Sequence, residues 1–90
     1  MSIVVIGLNH RTTPVDLLGK VMISDAALPK ALHALSVRDD IREAVIVSTC
    51  NRTEVYAIAE RFHGAYTDIR DFICETSGVA PEEISAHLYS

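Results

Sequence analysis

The apolar positions of this chain change their spacing several times, and each change marks an element. Residues 3 to 8, Ile-Val-Val-Ile-Gly-Leu, form a continuous run closed by Asn9 and His10. A run apolar on both faces predicts a central, buried strand. Gly7 inside it marks a bulge or a close approach of another backbone. The polar stretch Arg11-Thr12-Thr13-Pro14 follows, and Pro14 suits the first turn of a short helix over Val15 to Lys20. From Ser24-Asp25 the period becomes helical, with Leu28, Ala31, Leu32 and Leu35 on one stripe. Pro29 falls about one turn into that helix and predicts an irregular first turn.

After the charged turn Arg38-Asp39-Asp40, the run Glu43 to Thr49 reads as a second strand with an apolar centre. Thr53 to Glu60 alternates: Val55, Ala57 and Ala59 lie on one face, and Glu54, Tyr56, Ile58 and Glu60 on the other. Only Cys50-Asn51-Arg52 separates these runs, so they predict an antiparallel hairpin, with Asn51 suited to a left-handed turn conformation. Thr67 is the expected cap of the next helix, whose stripe is Tyr66, Ile69, Phe72 and Ile73 and whose stop is Gly78. Pro81-Glu82-Glu83 opens a last helical turn, and Leu88-Tyr89 begins a fourth strand. The order β-α-β-β-α-(β) is the split, ferredoxin-like pattern of the α+β class. It predicts an antiparallel sheet with helices on one face and an incomplete last strand.

Composition narrows the picture. Ninety residues, 49% hydrophobic and 22% charged, predict one domain with a single core and argue against disorder. A self-contained dinucleotide-dependent enzyme needs more chain. The net charge of −4 argues against a module that lives by gripping nucleic-acid phosphates. No apolar run reaches the ~20 residues that span a bilayer. Two cysteines are too few for a disulfide framework, which makes a reducing cytoplasm the expected setting.

The chemistry concentrates at Ser48-Thr49-Cys50-Asn51-Arg52-Thr53-Glu54. Strand leads in and strand leads out, so Cys50 sits on a tight turn at the rim of the sheet. A free cysteine is commonly an inert small hydrophobe. Arg52 and unpaired turn amides nearby instead favour thiolate. Thr49, Asn51 and Thr53 add hydrogen-bonding groups, and an arginine can fork onto a carboxylate. The combination suggests acyl transfer to sulfur on a substrate bearing a carboxylate. If the first strand lies adjacent and parallel to the second, Asn9-His10 reaches the same rim, either as a wall of this pocket or simply as a loop capping the next helix.

Other candidates carry less. Cys74 lies beside an apolar helix stripe and reads as a buried or half-buried, inert thiol; His33, His63 and His87 read as exposed. No short ligand spacing predicts a metal site, and Gly7, Gly19, Gly64 and Gly78 are too scattered for a phosphate loop.

Gly7 to Val15 and Val47 to Tyr56 closely resemble the N-terminal catalytic domain of the glutamyl-tRNA reductase family, and the resemblance runs over essentially all 90 residues. It implies an NADPH-dependent oxidoreductase of tetrapyrrole (porphyrin) biosynthesis that makes glutamate-1-semialdehyde from glutamyl-tRNA. It implies Cys50 as the nucleophile forming a thioester, Thr49, Asn51 and Arg52 around the glutamyl group with Arg52 on its α-carboxylate, and Asn9, His10 and Glu54 near the pocket. It also implies NADPH-binding and homodimerising domains beyond this chain, which alone is expected to lack reductase activity. The competing reading is a non-catalytic ferredoxin-like binding or regulatory module with a redox-sensitive thiol.

Overall fold

The structure is a computed structural model and describes residues 2–90. Its elements follow in the order β1 (Ser2–Asn9), α1 (Val15–Val21), α2 (Leu28–Ser36), β2 (Ile41–Thr49), β3 (Arg52–Ala59), α3 (Phe62–Ser77) and α4 (Pro81–Ser85). The three strands make one antiparallel sheet in the order β1-β3-β2. The chain is therefore α+β, and the hairpin expected between the second and third runs is present.

Alternation along the strands decides what faces the helices. Val4, Ile6 and Leu8 of β1, Ile46 of β2, and Val55, Ala57 and Ala59 of β3 are buried. They pack with Leu17, Leu18 and Val21 of α1, Ala31 and Leu35 of α2, Ala65, Ile69, Phe72 and Ile73 of α3, and Ile84 of α4 in one apolar cluster. A fully buried side chain such as Phe72 or Ile69 stabilises the fold by about 1.5–3 kcal/mol. The other sheet face is open, and Ile3 and Val45 stand exposed on it at 78% and 60%.

Several expectations need correction. β3, not β1, is the central strand, because it pairs with both neighbours along its whole length. β1 and β2 are parallel but not adjacent, since each runs antiparallel to the β3 between them. Among the described residues, the outer edge of β1 meets Tyr89 alone: the Gly7 amide donates to the Tyr89 carbonyl at 3.1 Å, and the Tyr89 amide returns a bond to the Gly7 carbonyl at 2.9 Å. Leu88-Tyr89 thus reaches the sheet as a single bridge.

The hairpin turn is also tighter than expected, because Thr49 pairs directly with Arg52 and only Cys50 and Asn51 lie between the strands. Asn51 does not adopt a left-handed conformation; Gly78 is the one described residue with positive φ, at 74°. The Thr49 hydroxyl accepts from the Asn51 amide at 3.1 Å, and the His10 amide donates to the Asn51 carbonyl at 2.9 Å. A side chain and the neighbouring strand's extension hold this turn in place of special backbone geometry.

Two helix starts shift as well. The Ser24 hydroxyl accepts from the Ala27 amide in a separate turn, so α2 opens at Leu28. Pro29 then falls in the first turn of α2, where its missing amide costs no helix bond, and residues 25–27 before it form a turn and not helix, the irregular start expected there. α3 opens at Phe62 and leaves Thr67 exposed inside the helix, not at its cap. Gly64 allows the earlier start to pack closely, since a Cβ there would collide with the Asp40 carboxylate. That carboxylate accepts two bonds from the Arg61 guanidinium, at 3.1 and 3.3 Å, and anchors the helix entry. The stop is as expected, with Gly78 donating to the Cys74 carbonyl at 2.8 Å.

Candidate active site

The residues of the cysteine segment separate by strand alternation into an inner and an outer set. On the inner face Ser48 and Thr53 are direct cross-strand partners. The Ile23 amide donates to the Ser48 hydroxyl at 2.8 Å, Ser48 and Thr53 share a bond of 2.9 Å, and Thr53 donates to the Val21 carbonyl at 3.3 Å. This relay ties the base of the hairpin to the end of α1. Thr53 is wholly buried, and its hydroxyl is satisfied on both sides.

The outer set forms the pocket. Arg52 pairs with Thr49 on one side and with Asn9 on the other, so three polar side chains stand in one row across the sheet. Asn9, His10, Arg11, Thr49, Asn51, Arg52 and Glu54 line an open concavity of about 500 Å³. Asn9 reaches it although β1 and β2 are not neighbours, because β3 carries both to the same end of the sheet. Asn9 has a local task too: its side-chain oxygen accepts from the Arg11 and Thr12 amides at 2.9 and 3.1 Å. Loop cap and pocket wall are thus one residue. Cys50 is exposed on the turn, between lining residues Thr49 and Asn51.

One row further along, Glu54 faces Gly7 on β1, with Tyr89 beyond it. Glu54 is 7% exposed. Its carboxylate accepts from the Tyr56 hydroxyl at 3.0 Å and from the Tyr89 hydroxyl, and it pairs with the Arg52 guanidinium at 3.6 Å. Gly7 makes this possible. A Cβ there would stand 2.5 Å from the Thr53 carbonyl oxygen and 2.8 Å from Glu54. The close backbone approach predicted at Gly7 is present, and β1 pairs through it without a bulge. Burial and the bond to Glu54 push the Tyr89 hydroxyl up to about 12, against a smaller opposing effect of the Asn9 side chain. The bond to Glu54, then its charge, raises Tyr56 in the same way.

Cys74 lies on α3, packed against the core, and burial, followed by the Asp71 carboxylate, raises its thiol. His33 and His63 are exposed as expected, but His87 is half-buried, with Nδ1 2.7 Å from the Thr12 carbonyl. Sequence reasoning missed Tyr56 and Tyr89. The alternation that places Tyr56 beside Glu54 was available in the strand pattern; nothing local signals that Tyr89 folds back over Gly7.

An exposed thiol beside a cation and amide and hydroxyl groups can accept an acyl group from a carboxylate-bearing donor. These residues do not fit a dinucleotide. Every strand pairing is antiparallel, and the space at Gly7 is taken by Glu54, so no glycine-lined strand-to-helix cradle exists among the described residues. No described group of three His, Cys, Asp or Glu side chains could hold a metal ion, and no described helix is long and apolar enough to cross a membrane.

Residues 6–90 match the family model of the glutamyl-tRNA(Glu) reductase N-terminal domain. The glutamyl-tRNA reductase of Frankia alni is 47% identical over 89 residues, which is 99% of this chain and 19% of that protein. Those of Geobacter metallireducens and Prochlorococcus marinus strain MIT 9211 are 44% and 42% identical over 90 residues, covering all of this chain and 21% of each relative. The chain spans about a fifth of the length of the curated relatives it matches. The pocket residues lie within the matched segment, and the chain belongs to the glutamyl-tRNA reductase family, to its N-terminal domain.

Proposed function

We propose that this chain supplies the thiol half-reaction of a glutamyl-tRNA reductase, with Cys50 as nucleophile. The observation that carries this reading is the exposed Cys50 on a two-residue turn whose neighbours line a pocket with Arg52, in a chain of this family. The Cys50 thiolate attacks C1 of the glutamyl ester. An Sγ–C1 bond forms, the bond from C1 to the terminal ribose oxygen breaks, and that oxygen leaves with a proton from solvent. Thr49 and Asn51 flank the acyl group.

Chemistry corrects one expectation for Arg52. The α-carboxyl of a glutamyl ester is the carbon under attack, so the carboxylate left for the guanidinium is that of the side chain. A glutaminyl ester lacks it, and a site built around a buried or half-buried charge rejects such an analogue strongly. Family resemblance assigns the second half-reaction, reduction of the thioester to glutamate-1-semialdehyde for tetrapyrrole synthesis, to NADPH. No step of it is built on these residues. Homodimerisation through other parts of the enzyme and a cytoplasmic setting belong to the same reading. So does a ferredoxin-like sheet with a strand beyond β1, which the bridge from Gly7 to Tyr89 supports.

Incubating the chain with radiolabelled glutamyl-tRNA and quenching in acid tests the proposal. A glutamyl adduct on the Cys50 peptide is expected, and none in Cys50→Ser. Equal labelling of both proteins would overturn it.

A further inference from the structure

We infer that Glu54 is a positioning residue: held by the Tyr56 and Tyr89 hydroxyls across the side-chain-free Gly7, it fixes the Arg52 guanidinium so that the pocket selects a glutamyl over a glutaminyl acyl group. The inference rests on the function proposed above and assigns its specificity.

Glu54 is a poor candidate for a passive surface charge. It lies on the open face of the sheet yet is 7% exposed, and a buried carboxylate is costly unless its oxygens are paired. Both oxygens are paired. Tyr56 donates to Oε1 and Tyr89 to Oε2, while Arg52 approaches Oε1 at 3.6 Å. The two tyrosines are themselves fixed, Tyr56 by the β3 ladder and Tyr89 by two backbone bonds to Gly7. The carboxylate therefore has one place to be.

Arg52 differs. Its side chain is 51% exposed, and among the described residues it pairs with Glu54 alone. A long cation half in water samples many rotamers, and holding it in one geometry carries an entropic cost. Glu54 meets that cost before substrate arrives. A single contact through Nη1 leaves the rest of the guanidinium's five donors free, enough for a bidentate grip on a second carboxylate. Glu54 acts through Arg52, its ion-pair partner at 3.6 Å.

Positioning and simple electrostatics predict opposite outcomes. If Glu54 only opposed the charge of Arg52, removing its charge would strengthen the pocket's pull on an anionic donor. If Glu54 aims Arg52, removing it weakens that pull. The test uses the 90-residue chain with the α-thioesters of glutamate and glutamine. Acylation of Cys50 by exchange, in which the donor thiolate leaves and takes a proton from solvent, is read by intact mass and peptide mapping. The parent is expected to prefer the glutamyl donor, and Glu54→Gln to lower that preference about tenfold, the size of one lost charge-assisted contact. Tyr89→Phe, which removes a donor and buries no new group, is expected to lower it about threefold, and Glu54→Asp to restore part of it. A preference in Glu54→Gln and Tyr89→Phe that matches or exceeds the parent's would overturn the inference and leave Cys50 chemistry standing. A parent chain acylated no faster than Cys50→Ser would remove the function on which it rests.

Discussion

The hydroxyls of Ser48 and Thr53 lie 2.9 Å apart on the buried face of the hairpin, directly behind the turn that carries Cys50. The outward pocket is therefore anchored from inside, through residues that never face it. Ser48 accepts from the Ile23 amide and Thr53 donates to the Val21 carbonyl, so loss of either hydroxyl strands a backbone group of the α1 exit. Thr53→Val, which keeps the shape, is expected to destabilise the chain by about 1–3 kcal/mol, and Ser48→Ala by about 1 kcal/mol. Urea unfolding measures both, and a Thr53→Val midpoint equal to the parent's would contradict the relay.

Two glycines predict opposite signs for the same substitution. A methyl at Gly7 meets the Thr53 carbonyl and Glu54 within 2.8 Å, whereas at Gly19, within α1, it meets nothing within 4 Å. Gly7→Ala is expected to cost about 1–3 kcal/mol through overpacking. Gly19→Ala is expected to stabilise by about 0.5–1 kcal/mol, because alanine loses less freedom in a helix. Thermal unfolding of the pair decides it; equal shifts would refute the close approach.

The two thiols should separate chemically. Cys50 is exposed, while Cys74 packs on the core with its thiol raised by burial and then by Asp71. With iodoacetamide near neutral pH, Cys50 is expected to label at least about tenfold faster, since reactivity follows thiolate fraction and access. Peptide mapping at early times reads the ratio. Comparable rates would count against the assignment of Cys74 as the bystander.

Tyr89 makes part of the fold's stability sensitive to alkali. Its hydroxyl is raised from 10.0 to about 12, so the folded state holds that proton more tightly than the unfolded one. The contribution is full below the unfolded value and is lost as pH climbs through about 12. The parent's urea midpoint should therefore fall more steeply than that of Tyr89→Phe above pH 10. Parallel curves would show that Tyr89 does not share its proton with Glu54 in solution.

What the chain pattern revealed depended on distance along it. The hairpin, the stripe of α3 and the Gly78 stop follow from neighbours a few residues apart, where period and turn chemistry act directly. Placing β1 beside β3 depends on long-range pairing, and its continuous apolar run looked like a centre because both faces of an edge strand can be apolar too. Thr67 misled because its residue type suits a cap, whereas the helix opens five residues earlier at Phe62, where Gly64 makes room for Asp40. The pocket residues around Cys50 were legible as a linear segment; the division of that segment into an anchoring face and a working face was not. Tyr89 was out of reach, since its role exists only once the chain ends of the described fold meet.

The bridge between Gly7 and Tyr89 has a consequence for how the site comes into being. Gly7 leaves the ribosome early and Tyr89 late, with the thiol emerging between them. A nascent chain that has released Cys50 still lacks one of the two hydroxyls that hold Glu54. Under the positioning role inferred for Glu54, the Arg52 guanidinium is fixed, and with it any choice between acyl groups, only once Tyr89, the last-made residue of the network, has docked.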